Sequence, residues 1–211
     1  MARILTVSPD NPESRYVEHA AQLIRRGEVV AIPTDTLYGL AADPYNLSAV
    51  ARIYEIKGRP ERRALPILVT SIDQAEELAD VLPDSFYALA KRFWPGALTL
   101  VVDASSRLPL KVTGNTGRVA LRQADSRIPA ALIAAVGTPV TGTSANLSGF
   151  PACVDAAQVV KQMGERLPVI LDGGKSSALL ASTIVELRSD DWSILREGPI
   201  GEDQIREALE R

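Results

Sequence analysis

Apolar and polar positions follow two different periods along the chain, and the two kinds of segment alternate. Short apolar runs at 4–7, 29–32 and 65–69 are typical of buried strands. In other segments, such as 12–26, apolar positions recur every three or four residues, which predicts amphipathic helices. Strands interleaved with helices indicate the α/β class, in which helices cover a sheet.

The second half of the chain continues this alternation. Strands are predicted at 97–102, 118–122, 139–143 and 169–171, and helices at 71–79, 83–93, 128–136, 154–163 and 201–209. Two late strands, 182–187 and 192–196, follow one another directly, which predicts a mixed sheet. We therefore expect a twisted, open, mixed sheet covered by helices, within one domain of residues 1–211.

One segment joins a buried strand to a helix that ends beside two cations. Asn46 and Ser48 are candidate N-caps of this helix, and Gly58 stands where a C′ glycine would end it. Lys57 and Arg59 flank that glycine, and two fixed cations beside a turn of hydroxyls would suit an anionic ligand. The alternative is that Lys57 only complements the helix dipole and that Arg59 is solvated.

Polar side chains gather where several predicted strands end. Arg118 and Arg122 share one face of their strand, because side chains alternate along it. The segments 34–38 and 143–146, both rich in hydroxyls, follow two other strands. Ligands of open α/β sheets bind at such strand ends. If these ends converge, they form the walls of one cleft.

Composition excludes several classes of site. The formal net charge is −3, so the chain as a whole is not a basic nucleic-acid binder. One cysteine, Cys153, rules out an internal disulfide and a cysteine-cluster zinc site. One histidine, His19, leaves no Ser-His-Asp or Cys-His system. The chain lacks a run of membrane-spanning length and a signal-peptide core, so we expect a reducing cytoplasm.

A glycine-lysine-serine triplet at 174–176 invites comparison with a phosphate-binding P-loop. That motif needs a glycine five positions before Gly174, where this chain has Val169. No helical pattern follows the triplet directly. The P-loop interpretation is therefore rejected, and any ATP site in this chain must be unconventional.

Three segments occur in a specific order: PTDTLYGLAADP at 33–44, KGRP at 57–60 and TSANLSG at 143–149. Together they resemble the YrdC/TsaC family of threonylcarbamoyl-AMP synthases, whose members have a PT-E/D-T-x-YGL segment, a K-x-R pair and a later S-x-N. The resemblance runs from about residue 4 to the last residue and is to the single-domain form. It implies a YrdC-like fold with a large concave cleft.

The resemblance also implies roles for individual residues. Lys57 and Arg59 match the catalytic pair that grips the ATP phosphates. The positions that match threonine contacts are Thr36, Arg122 and Ser182, with Arg122 suited to a bidentate grip on the carboxylate. The positions that match nucleotide contacts, besides that pair, are Arg63, Arg118, Ser144, Asn146 and Arg196. No residue matches a metal ligand, and Mg²⁺ is expected with the nucleotide.

Some positions depart from the family pattern. Asp35 stands where glutamate is common, and Gln123 follows Arg122 where many members have another residue and then proline. The sequence Arg63-Ala64-Leu65 replaces a common Lys-Pro-Leu. These differences affect the expected course of two loops and leave the resemblance intact.

The implied reaction joins L-threonine, bicarbonate or CO2, and ATP into threonylcarbamoyl-AMP, with release of pyrophosphate. The product would pass to threonylcarbamoyl transferase proteins that modify adenosine 37 of ANN-decoding tRNAs. Two alternatives remain open. One is an RNA-binding module that uses the basic residues Lys57, Arg59, Arg62, Arg63 and Arg118. The other is a divergent carbamoyl-adenylating paralogue. Weak RNA binding is also compatible with the enzyme itself.

Overall fold

The computed structural model describes residues 1–176, 178, 180–189 and 191–210. Strands and helices alternate over these residues. The strands are β1 (Arg3–Thr6), β2 (Val30–Ile32), β3 (Gly39–Ala41), β4 (Ile67–Leu68), β5 (Leu98–Asp103), β6 (Arg118–Arg122), β7 (Val140–Thr141), β8 (Thr143–Ser144), β9 (Val169–Asp172), β10 (Thr183–Arg188) and β11 (Asp191–Arg196). The helices are α1 (Ser14–Arg25), α2 (Leu47–Lys57), α3 (Ile72–Leu78), α4 (Asp84–Phe93), α5 (Arg127–Val136), α6 (Ala156–Met163) and α7 (Glu202–Leu209).

The strands form two mixed sheets, which confirms the predicted mixed α/β class. One sheet has the order β1-β9-β2-β3-β8 and the other has the order β11-β10-β5-β6-β4-β7. In the first sheet β9 runs parallel to β1 and β2, whereas β3 is antiparallel to β2. In the second, β5 is parallel to β10 and antiparallel to β6. The sequence pattern predicts one sheet, whereas the strands divide into two sheets where one extended segment crosses between them.

That crossing point is Gly142. The predicted strand 139–143 divides there, so that β7 pairs with β4 in one sheet and β8 pairs with β3 in the other. The Thr141 hydroxyl ties the two sheets together, because it donates to Leu40 O (2.9 Å) and accepts from the Ala42 amide (3.0 Å). The Gly142 amide donates to Pro66 O at 2.7 Å. The junction of the two sheets at Thr141 and Gly142, here called the seam, therefore consists largely of backbone groups packed at close range.

Apolar faces of the helices cover both sheets. The buried face of α1 consists of Val17, Ala20, Ala21 and Ile24, as its periodicity predicts. This helix packs with α5 against the five-stranded sheet, in a cluster separate from the larger core. The larger core includes the fully buried Tyr38 and Phe86. Among the described residues, no helix is both long enough and apolar enough to span a membrane.

The N-cap and C-cap of α2 follow the sequence closely. The Asn46 side chain accepts hydrogen bonds from the amides of Ser48 and Ala49, each at 3.1 Å. Gly58 adopts the left-handed conformation, with φ of 58°, which glycine reaches without the steric cost of a Cβ. Helix α2 therefore ends at Lys57, and the chain turns at once toward Arg59.

Replacement of Gly142 by alanine should destabilise the protein by about 1–3 kcal/mol, because overpacking forces neighbours out of their preferred rotamers. A Cβ at this position would lie 2.5 Å from Cγ of the buried Leu68 side chain. Urea unfolding of Gly142→Ala would measure the loss. In a Leu68→Ala background, where that space is vacant, most of the penalty should disappear. An equal penalty in both backgrounds would contradict the steric explanation.

Candidate active site

A cavity of about 730 Å³ lies on one face of the six-stranded sheet, against the edge of the five-stranded one. Every second residue of three neighbouring strands contributes to its floor, because alternate side chains of a strand point to the same face of the sheet. These are Thr99, Val101 and Asp103 of β5, Arg118, Ala120 and Arg122 of β6, and Ile184, Glu186 and Arg188 of β10. The rim includes Thr34, Thr36, Arg59, Thr143, Ser144, Ser182 and Arg196. The predicted strand ends thus converge on one cavity.

Arg122 is held at one end of the floor by three acceptors. Its Nε donates to Gly96 O at 2.9 Å, Nη1 to Thr36 Oγ1 at 2.7 Å and Nη2 to Asp35 Oδ1 at 2.7 Å. Arg122 is only 7% exposed. Burial lowers the pKa of Arg122, and the adjacent Asp35 carboxylate opposes that shift. The guanidinium is therefore fixed in direction and paired with one carboxylate.

The turn after β2 holds Thr36 in place. The Thr34 hydroxyl accepts from the amides of Thr36 (3.1 Å) and Leu37 (3.2 Å) and donates to Leu37 O (2.7 Å). Such side-chain bonds to nearby backbone replace the ladder bonds that the strand no longer supplies. The Thr36 hydroxyl is thereby positioned for its contact with Arg122.

Ser182 and Arg196 contact each other at the same end of the cavity as Arg122. Arg196 donates to Ser182 O through Nε (3.0 Å) and Nη2 (2.7 Å), and Nη2 also lies 3.1 Å from Ser182 Oγ. Thr99 Oγ1 is 2.7 Å from Ser182 Oγ. The pKa of Arg196 is lowered, first by partial burial and second by the positive charge of Arg122. Two guanidinium groups with one carboxylate, Asp35, make this end of the cavity attractive to an anion.

Arg59 lines the opposite rim. Its Nη1 donates to Thr143 Oγ1 at 2.9 Å, and its Nη2 donates to Ala64 O at 2.8 Å. Its Nε is buried and has no hydrogen-bond partner among the described residues. Burial lowers the pKa of Arg59. The guanidinium is thus directed by two contacts, and the solvated alternative for this residue is wrong.

Lys57 lies beneath the cavity wall and is 3% exposed. Its Nζ donates to Asn146 O at 2.8 Å, to Asn146 Oδ1 at 3.2 Å and to Ser144 O. Burial, with the charge of Arg59 as the second cause, lowers the pKa of Lys57 to about 7. The ammonium therefore supports the Ser144–Asn146 loop from below, which is more than complementing a helix dipole.

Asn146 shapes the same loop from within. Its Nδ2 donates to Phe150 O at 2.7 Å and to Leu147 O at 3.0 Å, while its Oδ1 accepts from Ser144 Oγ at 2.5 Å. The side chain is 9% exposed and does not line the cavity. In this conformation Ser144, and not Asn146, faces the space where a ligand would lie.

Arg118 occupies the far end of the floor. Its Nη1 donates to Asp103 Oδ1 at 2.7 Å, Nη2 to Leu187 O at 2.5 Å, and its Nε lies 3.5 Å from Glu186 Oε1. The predicted site residues on the cavity wall are Thr36, Arg59, Arg118, Arg122, Ser144, Ser182 and Arg196, whereas Lys57, Arg63 and Asn146 are not on it. Arg63 is exposed outside the cavity.

Two residues at the Arg122 end of the cavity are not among those that the sequence predicts. In the sequence Asp35 is only a departure from the family pattern, yet it is the carboxylate partner of Arg122. Thr99 lies inside an apolar strand, where it shares the cavity face with Val101 as Arg118 shares it with Arg122 on the next strand. Within the part of the chain that the structure describes, no three His, Cys, Asp or Glu side chains come together as a metal site.

The model of the Sua5/YciO/YrdC family, described as "Telomere recombination", matches residues 22–198 of this chain. The chain belongs to this family. That assignment confirms the resemblance inferred from the three ordered segments.

Relatives in the Sua5/YciO/YrdC family are similar over nearly the whole chain. The threonylcarbamoyl-AMP synthase of Bacillus subtilis is 39% identical over 204 residues, which are 96% of this chain and 58% of that protein. The Pyrococcus abyssi enzyme of the same name is 38% identical, over 93% of this chain and 58% of its own length. The chain thus spans less than two thirds of these two relatives. A putative threonylcarbamoyl-AMP synthase of Mycobacterium tuberculosis is 39% identical, over 93% of this chain and 90% of that protein.

Solved structures of the family share the fold. The structure of Pyrococcus abyssi Sua5 complexed with L-threonine superposes with a TM-score of 0.95 at 36% identity, over 99% of this chain and 61% of that one. Escherichia coli YciO superposes with a TM-score of 0.88 at 22% identity, over 97% of this chain and 100% of that one. The two-sheet architecture is therefore that of the YrdC-like fold.

The lowered pKa of Lys57 predicts a characteristic dependence of stability on pH. Between a folded-state pKa of about 7 and the ordinary value of 10.5, the unfolded chain binds more protons at Lys57 than the folded chain does. Stability supplied through this residue should therefore rise with pH across that window. Urea unfolding at pH 7 and pH 9 should show wild type gaining stability relative to Lys57→Met, which cannot titrate. Parallel changes in the two proteins would contradict the assigned shift.

Proposed function

We propose that this chain is a threonylcarbamoyl-AMP synthase, which converts L-threonine, bicarbonate or CO2, and ATP into threonylcarbamoyl-AMP and pyrophosphate. The observation that supports it best is the anion-attracting end of the cavity, where Arg122 and Arg196 face hydroxyls of Thr36 and Ser182. The names of the relatives, and the L-threonine in the Pyrococcus complex, point the same way.

Threonine would bind at this end through its carboxylate. Arg196 Nη1 has no hydrogen-bond partner among the described residues, so it can donate to a carboxylate oxygen without loss of an existing contact. Arg122 faces the same space with its direction fixed by Asp35 and Thr36. Charge-assisted bonds from guanidinium to carboxylate are among the stronger hydrogen bonds in proteins. Ser182 and Thr36 supply the neighbouring hydroxyls.

The triphosphate would lie toward the opposite rim, along Arg59 and Ser144. Arg59 Nε is buried without a partner in the part of the chain that the structure describes, and an anion at this rim would compensate the charge of the guanidinium. Lys57 and Asn146 would act through the loop that they support, and a direct phosphate contact of Lys57 remains a prediction from the resemblance. Arg63, Arg118 and Arg196 remain predicted nucleotide contacts from the resemblance, and because Arg196 bonds to Ser182 we propose that it also reaches the threonine carboxylate. Mg²⁺ would enter with ATP, with phosphate oxygens and water as most of its ligands.

The reaction depends mainly on how the enzyme positions the reactants. The threonine amine and bicarbonate give a carbamate with loss of water, and a carbamate oxygen then attacks the α-phosphorus. The bond from that phosphorus to the bridging oxygen breaks, and pyrophosphate leaves with the electron pair. Holding reactants in line can lower a barrier by about 7–11 kcal/mol. Fixed cations stabilise the charge that develops on the leaving group, and no histidine base is needed.

The product would serve tRNA modification. Threonylcarbamoyl-AMP is an activated acyl donor, so a transferase must accept its threonylcarbamoyl group. By resemblance, the acceptor is adenosine 37 of ANN-decoding tRNAs, and the reaction belongs in the cytoplasm.

The decisive assay is incubation of the pure chain with ATP, Mg²⁺ and bicarbonate, with and without L-threonine. Pyrophosphate release that depends on threonine, with a product of the mass of threonylcarbamoyl-AMP, is the expected result. ATP binding without that product would favour a divergent paralogue with another acceptor. RNA binding without ATP binding, with an affinity that falls steeply as salt rises, would favour the RNA-binding module.

Loss of either member of the Lys-x-Arg pair should lower turnover by orders of magnitude. Arg59→Ala removes a cation from the rim, and Lys57→Ala removes the support of the Ser144–Asn146 loop. The matched control is Arg62→Ala, since Arg62 is exposed in the adjoining loop and does not line the cavity. The control should stay within about threefold of wild type. Wild-type turnover in both Lys57→Ala and Arg59→Ala would contradict the assignment.

A further inference from the structure

We propose that the Thr99 hydroxyl is a direct contact for the substrate threonine and donates a hydrogen bond to its carboxylate. This inference rests on the proposed function and adds a residue to it. Thr99 lines the cavity although it is only 2% exposed. It lies in the apolar strand β5, where the sequence pattern alone indicates a core position.

The pairing of strands places Thr99 between two residues already assigned to threonine. Leu100 pairs with Leu121 across β5 and β6, so the next step along the antiparallel register sets Thr99 opposite Arg122. On the other side, Thr99 pairs with Ile184 of β10. Ser182 precedes Ile184 on the same face, and its Oγ lies 2.7 Å from Thr99 Oγ1. A ligand that spans from Arg122 to Ser182 therefore passes over Thr99.

A count of hydrogen-bond donors shows that one proton here is unused. Thr99 and Ser182 have one hydroxyl proton each, and the contact between their oxygens uses one of them. Arg196 Nη2 adds a further donor at Ser182 Oγ, not an acceptor. Among the described residues, neither hydroxyl has another side-chain partner. One O–H at the cavity floor is therefore left for a ligand.

The charge of Arg196 favours Thr99 as the residue with the free proton. When a guanidinium donates to Ser182 Oγ, the Ser182 hydroxyl becomes a better donor, because bonds in a chain polarise one another. Ser182 then donates to Thr99 Oγ1, and the Thr99 proton faces the cavity. The order Arg196, Ser182, Thr99 thus transmits part of a positive charge to the floor.

The acceptor that suits this donor is anionic. Arg122 and Arg196 face this end, and Asp35 is bonded to Arg122 and cannot neutralise both. A carboxylate oxygen would complete the chain as a charge-assisted bond. Of the groups on threonine, only the α-carboxylate is an anion, whereas its side-chain hydroxyl is neutral.

The test compares Thr99→Val, which has the same shape without the hydroxyl, with Thr99→Ser, which keeps it. Thr99→Val should raise the KM for L-threonine about ten- to a hundredfold, in line with loss of a bond to a charged group, and leave the KM for ATP unchanged. Thr99→Ser should stay within about threefold of wild type. An unchanged KM for threonine in Thr99→Val would overturn the proposal.

Thr183→Val is the matched control for loss of a buried hydroxyl. Thr183 is fully buried in the neighbouring strand, and its hydroxyl bonds to Ile200 O at 2.8 Å, away from the cavity. This variant should lose stability without any change in the KM for threonine. If Thr99→Val proves too unstable to assay, Thr99→Ala replaces it. This variant too should raise the KM for L-threonine and leave the KM for ATP unchanged.

Analogues identify the group that Thr99 contacts. Calorimetric titration of wild type and Thr99→Val should show the same loss of affinity with L-2-aminobutyrate, which keeps the carboxylate, as with L-threonine. With L-threoninol, which lacks the carboxylate, the loss should vanish. A loss that persists with threoninol, or vanishes with aminobutyrate, would overturn the carboxylate contact. Failure of wild type to bind L-threonine would instead overturn the proposed function itself.

Discussion

The close approach of the two sheets at Gly142 is the constraint on which the cavity depends. One extended segment leaves the six-stranded sheet as β7 and enters the five-stranded sheet as β8, with a single residue between them. Leu68 fills the space that a side chain at Gly142 would need. Because the sheets meet there, the rim residues Thr143 and Ser144 face the floor residues Arg118 and Arg122 across one cavity. A wider seam would move Arg59, which bonds to Thr143, away from the arginines of the floor.

Buried cations are costly unless polar partners surround them, and this protein supplies those partners mostly from its backbone. Carbonyl oxygens of Gly96, Leu187 and Ser182 accept from Arg122, Arg118 and Arg196, respectively, and Ser144 and Asn146 supply carbonyls to Lys57. Carbonyl dipoles orient a cation without cancelling its charge as a carboxylate would. Arg122 and Arg118 are also paired with carboxylates, whereas Arg59 and Arg196 are oriented by carbonyl and hydroxyl oxygens. Donors that are already aligned and keep their charge therefore stand at both ends of the cavity, which is the arrangement that stabilises developing negative charge.

The sequence was a good guide where local chemistry determines structure. The caps of α2, the apolar face of α1 and the shared face of Arg118 and Arg122 all follow from spacing and residue type. The sequence did not predict contacts between residues that are distant along the chain. The splitting of 139–143 between two sheets depends on contacts with Pro66, Leu40 and Ala42, which no local pattern reports. The burial of Lys57 and the pairing of Asp35 with Arg122 depend in the same way on tertiary contacts.

The contact between Thr99 and Ser182 joins residues that are 83 positions apart along the chain. Bringing two such distant segments together costs chain entropy, which the contacts of the finished sheet must offset. A small ligand that spans Arg122 and Ser182 would find its binding groups together only where β5, β6 and β10 are paired. Its binding would therefore stabilise the whole assembly against unfolding, so the ligand would act as a thermodynamic reporter of complete folding.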